Sequence, residues 1–415
     1  MRHLPRRRLP RWLRVAAAAF SMLLAASALT YFWALTSTDR SGLARAIAWQ
    51  GADSDDWLRF PARPIAAAGE PLRFKTRVWP GLETISVPTD QGVVQRDLNE
   101  FMAETGTTAF LVLRGDELLT ERYYNGASRD SVMTSFSMAK SFLSALVGIA
   151  IAEGSFGSVD DPITTYVPEL VERDPSFARI TLRDLLRMSS GLAYSELGLP
   201  WSDDSLTYYD PDLRRLALNG TRVERAPGET FLYNNYNPLL VGLALERVTG
   251  QSVASYLEQQ LWQPLGAEYD AFWSLDSEAD GFEKMESGIN ARAIDYAKFG
   301  LLFLRHGRWG GNQLIPAGWV AASTTPQAPA GSPQATRYGY FWWLWAGHEA
   351  VPSEPRFFAR GNLGQFIFVA PDKDLVIVRM GRQFGYERWN ELLDQLTDQI
   401  ANASVALSAG HGGAP

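Results

Sequence analysis

A serine and a lysine three residues apart are the pair in this chain best suited to nucleophilic chemistry. Ser137 and Lys140 lie in residues 134–141, which lead into an apolar run at 142–151 with the pattern of a buried helix. Residues three apart on a helix share a face, one turn from each other. The lysine amine could take the proton of the serine hydroxyl, provided that burial and the positive helix end keep the amine uncharged.

The Ser-x-x-Lys spacing is common, and its ordinary interpretation is a capped helix whose lysine points into water. Lysine is scarce here, however. It occurs at five positions against a large excess of arginine, and only Lys140 has a serine three residues before it. An arginine could not serve as the base, because a guanidinium stays protonated. From this stretch alone, the catalytic and structural interpretations are equally favoured.

Composition narrows the possible chemistry. The chain has 415 residues and a net charge of -7, which argues against a nucleic-acid-binding surface. It has no cysteine, so disulfides, thiolate metal sites and a cysteine nucleophile are excluded. Its four histidines form no pair at metal-ligand spacing, and no Gly-x-Ser-x-Gly elbow is present. The sequence therefore predicts neither a metal nor a cofactor, and a serine hydrolase built on it would use a base other than histidine.

The N-terminus predicts export. Residues 1–14 carry six arginines and no acidic residue, and the uncharged, largely apolar run 15–36 follows. As a helix this run would span roughly 33 Å, about one hydrocarbon core. The basic flank should stay in the cytoplasm, which places the rest of the chain on the periplasmic face of the inner membrane. A signal peptide cleaved after Ala28 is the alternative, although the apolar run continues to Leu35 and favours a retained anchor.

The elements that must position the serine predict an α+β fold. Residues 37–92 suggest a lead-in with little regular structure, and 93–105 suggest an amphipathic helix. Strand pairs on either side of 115–116 and of 371–374 predict two hairpins. The regions 93–157 and 332–401 should form one subdomain, an antiparallel sheet flanked by helices, with a mostly helical subdomain at 158–331 inserted between them. A cleft between the two subdomains is the natural site. Residues 402–415 suggest a disordered tail.

Three motifs in order resemble those of one superfamily: residues 137–140, then Tyr233-Asn234-Asn235, then 359–365. They are similar to the motifs of serine β-lactamases and penicillin-binding proteins. The class C β-lactamase-like branch, with its esterases, D-aminopeptidases and 6-aminohexanoate-dimer hydrolase, is the most similar in style. The similarity covers about residues 101–400.

The resemblance implies an acyl-enzyme on Ser137, with Lys140 as base. It also implies a proton-shuttling Tyr233 and an oxyanion hole from the backbone N–H groups of Ser137 and Asn362. The side chain of Asn235 could hold the lysine or a substrate amide. A polar turn before a helix is the simpler interpretation of the tyrosine motif taken alone.

The third motif departs from the family. The usual Lys-Thr-Gly or His-x-Gly is replaced by Ala359-Arg360-Gly361, so the cation that grips a β-lactam carboxylate is missing from its usual place, which argues against β-lactamase activity. Gly361 still permits close approach of a substrate to the strand edge. Arg360 either replaces the missing cation or faces solvent. Asn290 matches a family asparagine near the substrate.

These observations predict an exported, membrane-anchored serine hydrolase for small-molecule esters or amides. Two alternatives stay open. One is a D-amino-acid peptidase or penicillin-binding enzyme acting on cell-wall peptides, and the other is a catalytically inactive anchored binding protein. The aromatic run 338–345 suggests either a substrate wall or, as we prefer, a strand with one buried face. The oligomeric state does not follow from the sequence.

Overall fold

The computed structural model describes residues 10–77, 82–279, 281–333, 337–345 and 355–410. Its helices are α1 (Arg11–Thr36), α2 (Gly42–Trp49), α3 (Leu98–Glu104), α4 (Ala139–Ala152), α5 (Glu169–Arg173), α6 (Leu182–Leu186), α7 (Asp203–Tyr209), α8 (Leu213–Arg215), α9 (Tyr236–Thr249), α10 (Val253–Leu257), α11 (Ala293–Leu304), α12 (Ala317–Ser323) and α13 (Trp389–Gly410). Its strands are β1 (Ala62–Ile65), β2 (Lys75–Thr76), β3 (Thr84–Thr89), β4 (Gly92–Asp97), β5 (Thr107–Arg114), β6 (Glu117–Tyr123), β7 (Met133–Thr134), β8 (Ala271–Ser274), β9 (Ile289–Ala291), β10 (Arg308–Trp309), β11 (Asn312–Gln313), β12 (Trp343–Trp345), β13 (Arg356–Gly361), β14 (Gln365–Ala370) and β15 (Leu375–Gly381).

A seven-stranded sheet joins both ends of the folded region. Its order is β12-β13-β14-β15-β5-β6-β2, and its neighbours are antiparallel except β2 and β6. Both predicted hairpins, β5–β6 and β14–β15, are present, and the central pairing of β5 with β15 sets Leu111 opposite Val378. The predicted α+β class with an antiparallel sheet made from distant segments is confirmed.

Both faces of this sheet are buried. Because successive side chains of a strand point to opposite faces, neighbouring residues of β5 belong to different cores. Leu111 and Leu113 on β5 belong to the core that contains α4 and α11. Phe110 and Val112, on the other face, belong to a second core with α13. Full burial of each such side chain stabilises the fold by about 1.5–3 kcal/mol. Helix α4, which begins just after Ser137, therefore packs within the larger core.

The segment before the sheet is more regular than the sequence predicted. Residues 37–92 were expected to carry little regular structure, but they form α2, the strands β1, β2 and β3, and a 3₁₀ turn at Asp56–Leu58. The helix predicted for 93–105 begins only at Leu98, because Asp97 caps it by accepting the N–H of Glu100, and the preceding residues pair with β3 as β4. β-Branched Val93 and Val94 favour that strand.

The region 158–331 contains the predicted helices and also part of a second sheet. Its strands β8 and β9 pair with β1 and β7 in the order β1-β8-β9-β7. Backbone hydrogen bonds therefore connect the inserted region to the lead-in and to the strand before Ser137. Helix α11, which the prediction placed in the helical subdomain, packs on β14 and β15 of the main sheet. The subdomain boundaries at 157/158 and 331/332 stay predictions.

Long helices stand at both ends. Among the described residues, α1 is the one helix long and apolar enough to cross a membrane, and it is exposed along nearly its whole length. Residues 1–9 of the predicted basic flank lie outside the described residues. Helix α13 continues to Gly410, so most of the tail predicted as disordered is helical, and its alanines at 401, 403, 406 and 409 favour this conformation. Residues 411–415 lie outside the described part.

Candidate active site

A sharp turn presents Ser137 at the start of α4. Strand β7 leads into a 3₁₀ turn at Phe136–Met138, and the N–H of Ser135 donates to the carbonyl of Ile289 on β9 at 2.7 Å. Phe136 has a positive φ of 44°, a backbone conformation that residues other than glycine rarely adopt. Its buried ring fixes the turn, and Ser137 is left half-buried at the edge of an otherwise buried helix. The hydroxyl can therefore reach a bound molecule.

Lys140 lies directly beside this hydroxyl. Its Nζ is 2.8 Å from Ser137 Oγ, and it donates a second hydrogen bond to the carbonyl oxygen of Glu286 at 2.9 Å. The residue is 1% exposed. The interpretation of Lys140 as an ordinary surface lysine is thereby removed, because the amine is enclosed and aimed at the serine.

Tyr233 approaches the lysine from the inserted region. It lies in the loop before α9, and its ring centroid is 5.0 Å from Lys140 Nζ. The ring stacks on Trp343 with a centroid separation of 5.6 Å and meets Tyr338 edge-on at 6.3 Å. The strand with one buried face that was preferred for the aromatic run 338–345 forms only at Trp343–Trp345, as β12, whereas residues 338–342 are buried outside any strand. Trp343 lines the cavity. Tyr233, far from Ser137 and Lys140 in sequence, is thus brought next to them.

Ser137 and Tyr233 line a cavity of about 740 Å³ between the sheet and the inserted region. Six of the eight residues predicted for the site line it, namely Ser137, Tyr233, Asn235, Arg360, Gly361 and Asn362. Its wall is rich in aromatic rings, and burial raises the pKa of the Tyr194 and Tyr208 phenols, which therefore stay neutral hydrogen-bonding groups. The volume suits a small organic ligand.

The end of β13 lies against the 3₁₀ turn that carries Ser137, which we call the serine turn. A Cβ added to Gly361 would stand 2.2 Å from the carbonyl oxygen of Ser135, so no side chain fits there. Asn362, the next residue, is exposed at the cavity and begins a tight turn in which Leu363 has a φ of 57°. The N–H of Ser137 belongs to a first helical turn, where backbone N–H groups lack partners within the helix. This geometry suits a pair of N–H donors for an oxyanion.

We expect Gly361→Ala to damage the site through this contact. The new methyl group must push β13 away from the serine turn, which should cost about 1–3 kcal/mol of stability and lower kcat by moving the Asn362 N–H. Thermal unfolding and ester turnover measure both effects. The control is Gly318→Ala on α12, where an added Cβ meets nothing within 4 Å. Equal behaviour of the two variants would contradict the close approach.

Comparison with known proteins agrees with this geometry. A sequence profile of the family described as Beta-lactamase matches residues 94–401. The chain belongs to the beta-lactamase family. Its homologues include the 6-aminohexanoate-dimer hydrolase of Paenarthrobacter ureafaciens, 30% identical over 312 residues that cover 68% of this chain and 74% of the relative. Esterase EstB of Burkholderia gladioli is 27% identical over 227 residues, 51% of this chain and 57% of that protein.

Solved structures show the same fold. A Bacillus anthracis protein provisionally named as a 6-aminohexanoate-dimer hydrolase aligns with a TM-score of 0.70 at 21% identity, covering 86% of this chain and 92% of that one. A penicillin-binding protein from Bacillus halodurans aligns with a TM-score of 0.55 at 17% identity, covering 74% and 99%. As a member of the beta-lactamase family with esterase- and amidase-type homologues, the chain falls within the serine hydrolase superfamily.

The residues that the family resemblance suggested for substrate binding have different places. Arg360 lines the cavity half-buried, with its guanidinium 5.0 Å from the ring centroid of Phe384; burial lowers its pKa, and the neighbouring Tyr233 acts in the opposite direction. Asn290 is fully buried on β9, donates to Ser274 Oγ at 2.9 Å and does not line the cavity. Its role toward substrate stays a prediction.

The two asparagines of the tyrosine motif have different positions, one within the loop and one at the cavity. Asn234 is buried and shapes the loop: its Nδ2 donates to the carbonyl of Leu192, and its Oδ1 accepts the N–H of Tyr236. Asn235 lines the cavity and donates to the hydroxyl of Tyr194 at 2.9 Å. Its buried Oδ1 has no hydrogen-bond partner among the described residues.

Sequence reasoning missed a buried ion pair and a buried arginine that support the site. Glu286, whose carbonyl holds Lys140, is 2% exposed and pairs with the equally buried Lys284 at 3.1 Å; burial lowers the pKa of Lys284. Arg379 on β15 is fully buried and donates to the carbonyls of Leu363 and Gly364, which locks the turn after Asn362. Neither has a local motif that could have revealed it. No cluster of potential metal ligands occurs among the residues described by the structure.

Removing the hydroxyl of Tyr233 should separate its chemistry from its packing. Tyr233→Phe keeps the ring that stacks on Trp343, so we expect unchanged thermal stability and a kcat lower by about 10²–10³-fold, the range for a lost proton-transfer group. The matched control is Tyr124→Phe, whose hydroxyl donates to Asn99 outside the cavity lining. Full kcat in Tyr233→Phe would remove the phenol from the proton transfer.

Proposed function

We propose that the protein is a serine hydrolase that cleaves esters or small amides through an acyl-enzyme on Ser137. The observation that carries this proposal is the 2.8 Å separation of Lys140 Nζ and Ser137 Oγ inside a cavity-lining turn. A weak alcohol nucleophile needs an adjacent base within hydrogen-bond reach, and the lysine meets that requirement.

The proposed acylation step uses the residues as follows. Ser137 Oγ attacks the substrate carbonyl carbon while its proton passes to neutral Lys140 Nζ. The carbonyl oxygen becomes an oxyanion that accepts hydrogen bonds from the N–H groups of Ser137 and Asn362. Collapse of the tetrahedral intermediate expels the alcohol or amine, which receives its proton from Lys140 by way of Tyr233. The hydrogen bond to the Glu286 carbonyl holds the amine in place during these transfers.

Deacylation repeats these steps with water. A water molecule attacks the acyl carbon and gives up a proton to the Tyr233–Lys140 pair. Ser137 Oγ leaves the acyl carbon and regains its proton from Lys140, and the carboxylic acid product then loses its own proton to the solvent. The same groups thus act as base and then acid in each half-reaction.

Esters and small amides are favoured for two reasons. The Lys-Thr-Gly cation of the β-lactam-binding family members is replaced by Ala359-Arg360-Gly361, and Arg360 lies half-buried over Phe384. The similar proteins named as an esterase and as a 6-aminohexanoate-dimer hydrolase act on these two bond types, by their names.

We further propose that α1 holds the enzyme in the inner membrane, with the catalytic region on the periplasmic side. The helix is exposed and uncharged from Val15 to Thr36, and six arginines occur in residues 1–14. Positive flanks stay in the cytoplasm, so the chain after Thr36 would be exported.

A substrate panel tests the activity. The purified full chain is incubated with short-chain chromogenic esters, matched anilides and a fluorescent penicillin. We expect turnover of the esters and transient or no labelling by the penicillin. Stable penicillin labelling without ester turnover would favour a cell-wall peptidase. Absence of turnover and of any covalent adduct would leave an anchored binding protein with this fold.

A further inference from the structure

A loop at the rim of the cavity exposes three large apolar side chains. Leu197 and Trp201 are 68% and 65% exposed, and Leu199 is 39% exposed. Glu196, just before Leu197, and Gly198, between the two leucines, line the cavity. Single exposed apolar residues are ordinary on soluble proteins, whereas three large ones within five residues mark an interaction surface. We call residues 197–201 the rim loop.

Hydrogen bonds hold the rim loop in this conformation. Ser202 Oγ donates to the carbonyl of Leu199 at 2.7 Å, and the N–H of Leu199 donates back to Ser202 Oγ at 3.1 Å. The N–H of Gly198 donates to Asp204 Oδ2 at 3.2 Å. The backbone is thereby fixed to the start of α7, and the apolar side chains point outward as a built feature of the surface.

Helix α2 connects the rim loop with the anchor helix α1. Helix α2 begins six residues after α1 ends, and it packs against α1 on one side and against α7, which directly follows the rim loop, on the other. Arg45 on α2 is 4% exposed and joins these parts: its Nε donates to the carbonyl of Thr38, just after α1, at 2.7 Å, and its Nη1 donates to that of Tyr209 on α7 at 3.3 Å.

Helix α2 also brings the cavity mouth close to the end of α1. Gln50 and Ala52, just after α2, line the cavity. Helix α2 is only about 12 Å long, so the rim loop and the cavity mouth stay close to the last turn of α1. The last two turns of α1 carry exposed Tyr31 and Trp33, the residue types that sit at the membrane–water interface.

We propose that the rim loop lies in the interfacial layer of the membrane that holds α1, and that the cavity takes its ester or amide substrates from amphiphiles in that membrane. This inference rests on the anchoring and on the acyl-enzyme chemistry proposed above. An amphipathic Trp201 flanked by two leucines has the composition of an interfacial contact. A substrate whose apolar part stays in the bilayer could place its carbonyl group in the cavity at this rim.

The absence of cysteine from the chain allows a direct test of the contact. Single cysteines replace Leu197, Trp201, Met22 of α1 or Val93 of β4 in the full chain and carry an environment-sensitive fluorophore in phosphatidylcholine vesicles. Val93 is the matched control, an apolar residue that is 58% exposed. We expect labels at Leu197, Trp201 and Met22 to shift to the blue and to be quenched by lipid-borne quencher. The Val93 label should respond to aqueous iodide.

Turnover tests the substrate class. The triple variant Leu197→Ser, Leu199→Ser, Trp201→Ser should hydrolyse a soluble short-chain ester at the wild-type rate. Its hydrolysis of a long-chain ester held in vesicles should fall about tenfold or more, the loss expected when one large apolar side chain no longer leaves water.

Each failure has its own signature. Iodide quenching at Leu197 and Trp201 equal to that at Val93 overturns the membrane contact, and so does an unchanged vesicle-ester rate in the triple variant. An iodide-quenched Met22 label contradicts the anchor itself. Absence of soluble-ester turnover in the wild-type chain contradicts the proposed chemistry whatever the labels report.

Discussion

Replacing Ser137 by alanine is expected to slow the turnover of a short-chain ester by about 10⁴- to 10⁶-fold, the range for loss of a nucleophile that acts as a unit with its base. The hydroxyl is the group that faces the cavity from the start of α4, and Lys140 Nζ lies 2.8 Å from it. Without it no acyl-enzyme can form. Initial-rate assays with a chromogenic ester measure the loss.

The same helix supplies the control for this substitution. Ser144 is fully buried on α4, and its hydroxyl has no hydrogen-bond partner among the described residues. Because a buried hydroxyl without a partner contributes little to stability, Ser144→Ala should keep the fold and the full rate. A Ser137→Ala variant that is folded and hydrolyses the ester as fast as Ser144→Ala would mean that another group is the nucleophile.

The second large effect is expected from Lys140→Arg, which keeps a long basic side chain but cannot become the neutral proton acceptor. An arginine cannot give up its proton at neutral pH, so we expect kcat to fall by about 10²–10⁴-fold. Lys75→Arg, at an exposed position on β2, is the matched control and should retain full activity. Circular dichroism and thermal unfolding establish that both variants are folded.

Chemical rescue separates a base from a merely structural lysine. Lys140→Ala opens space beside Ser137, and a small amine such as methylamine could occupy it within reach of Oγ. We expect added methylamine to restore part of the lost ester turnover, with a rate that rises with amine concentration. Full turnover by Lys140→Arg, or Lys140→Ala activity that is high without amine, contradicts the assignment of the base.

Local patterns were enough to predict the two hairpins of the sheet and the proximity of Ser137 to Lys140. The hairpins β5–β6 and β14–β15 follow from alternating strands around short turns, and the serine and lysine follow from helix geometry. The lead-in was misjudged because α2 and β1 are stabilised by packing on distant segments, which their proline- and alanine-rich composition does not encode. Strand β4 was misjudged because the helix pattern did not reveal its pairing with β3.

The remaining site features depend on contacts between distant parts of the chain. Phe136 takes a positive φ because the surrounding core holds it there, and no motif predicts that. Arg379 and the Lys284–Glu286 pair support the site from positions whose sequence context is unremarkable. Of the residues that the family resemblance suggested, Tyr233 and Asn362 line the cavity and Asn290 bonds within the second sheet, and their roles toward substrate stay predictions.

The central claim is that Ser137 carries the acyl group. The most direct measurement is mass spectrometry of the intact protein after rapid quenching with a slowly deacylating ester, followed by peptide mapping. The proposal predicts a mass increase of one acyl group, located on Ser137 and absent from the Ser137→Ala variant. An acyl group mapped to another residue, or ester turnover without any covalent adduct at single-turnover time points, would contradict it.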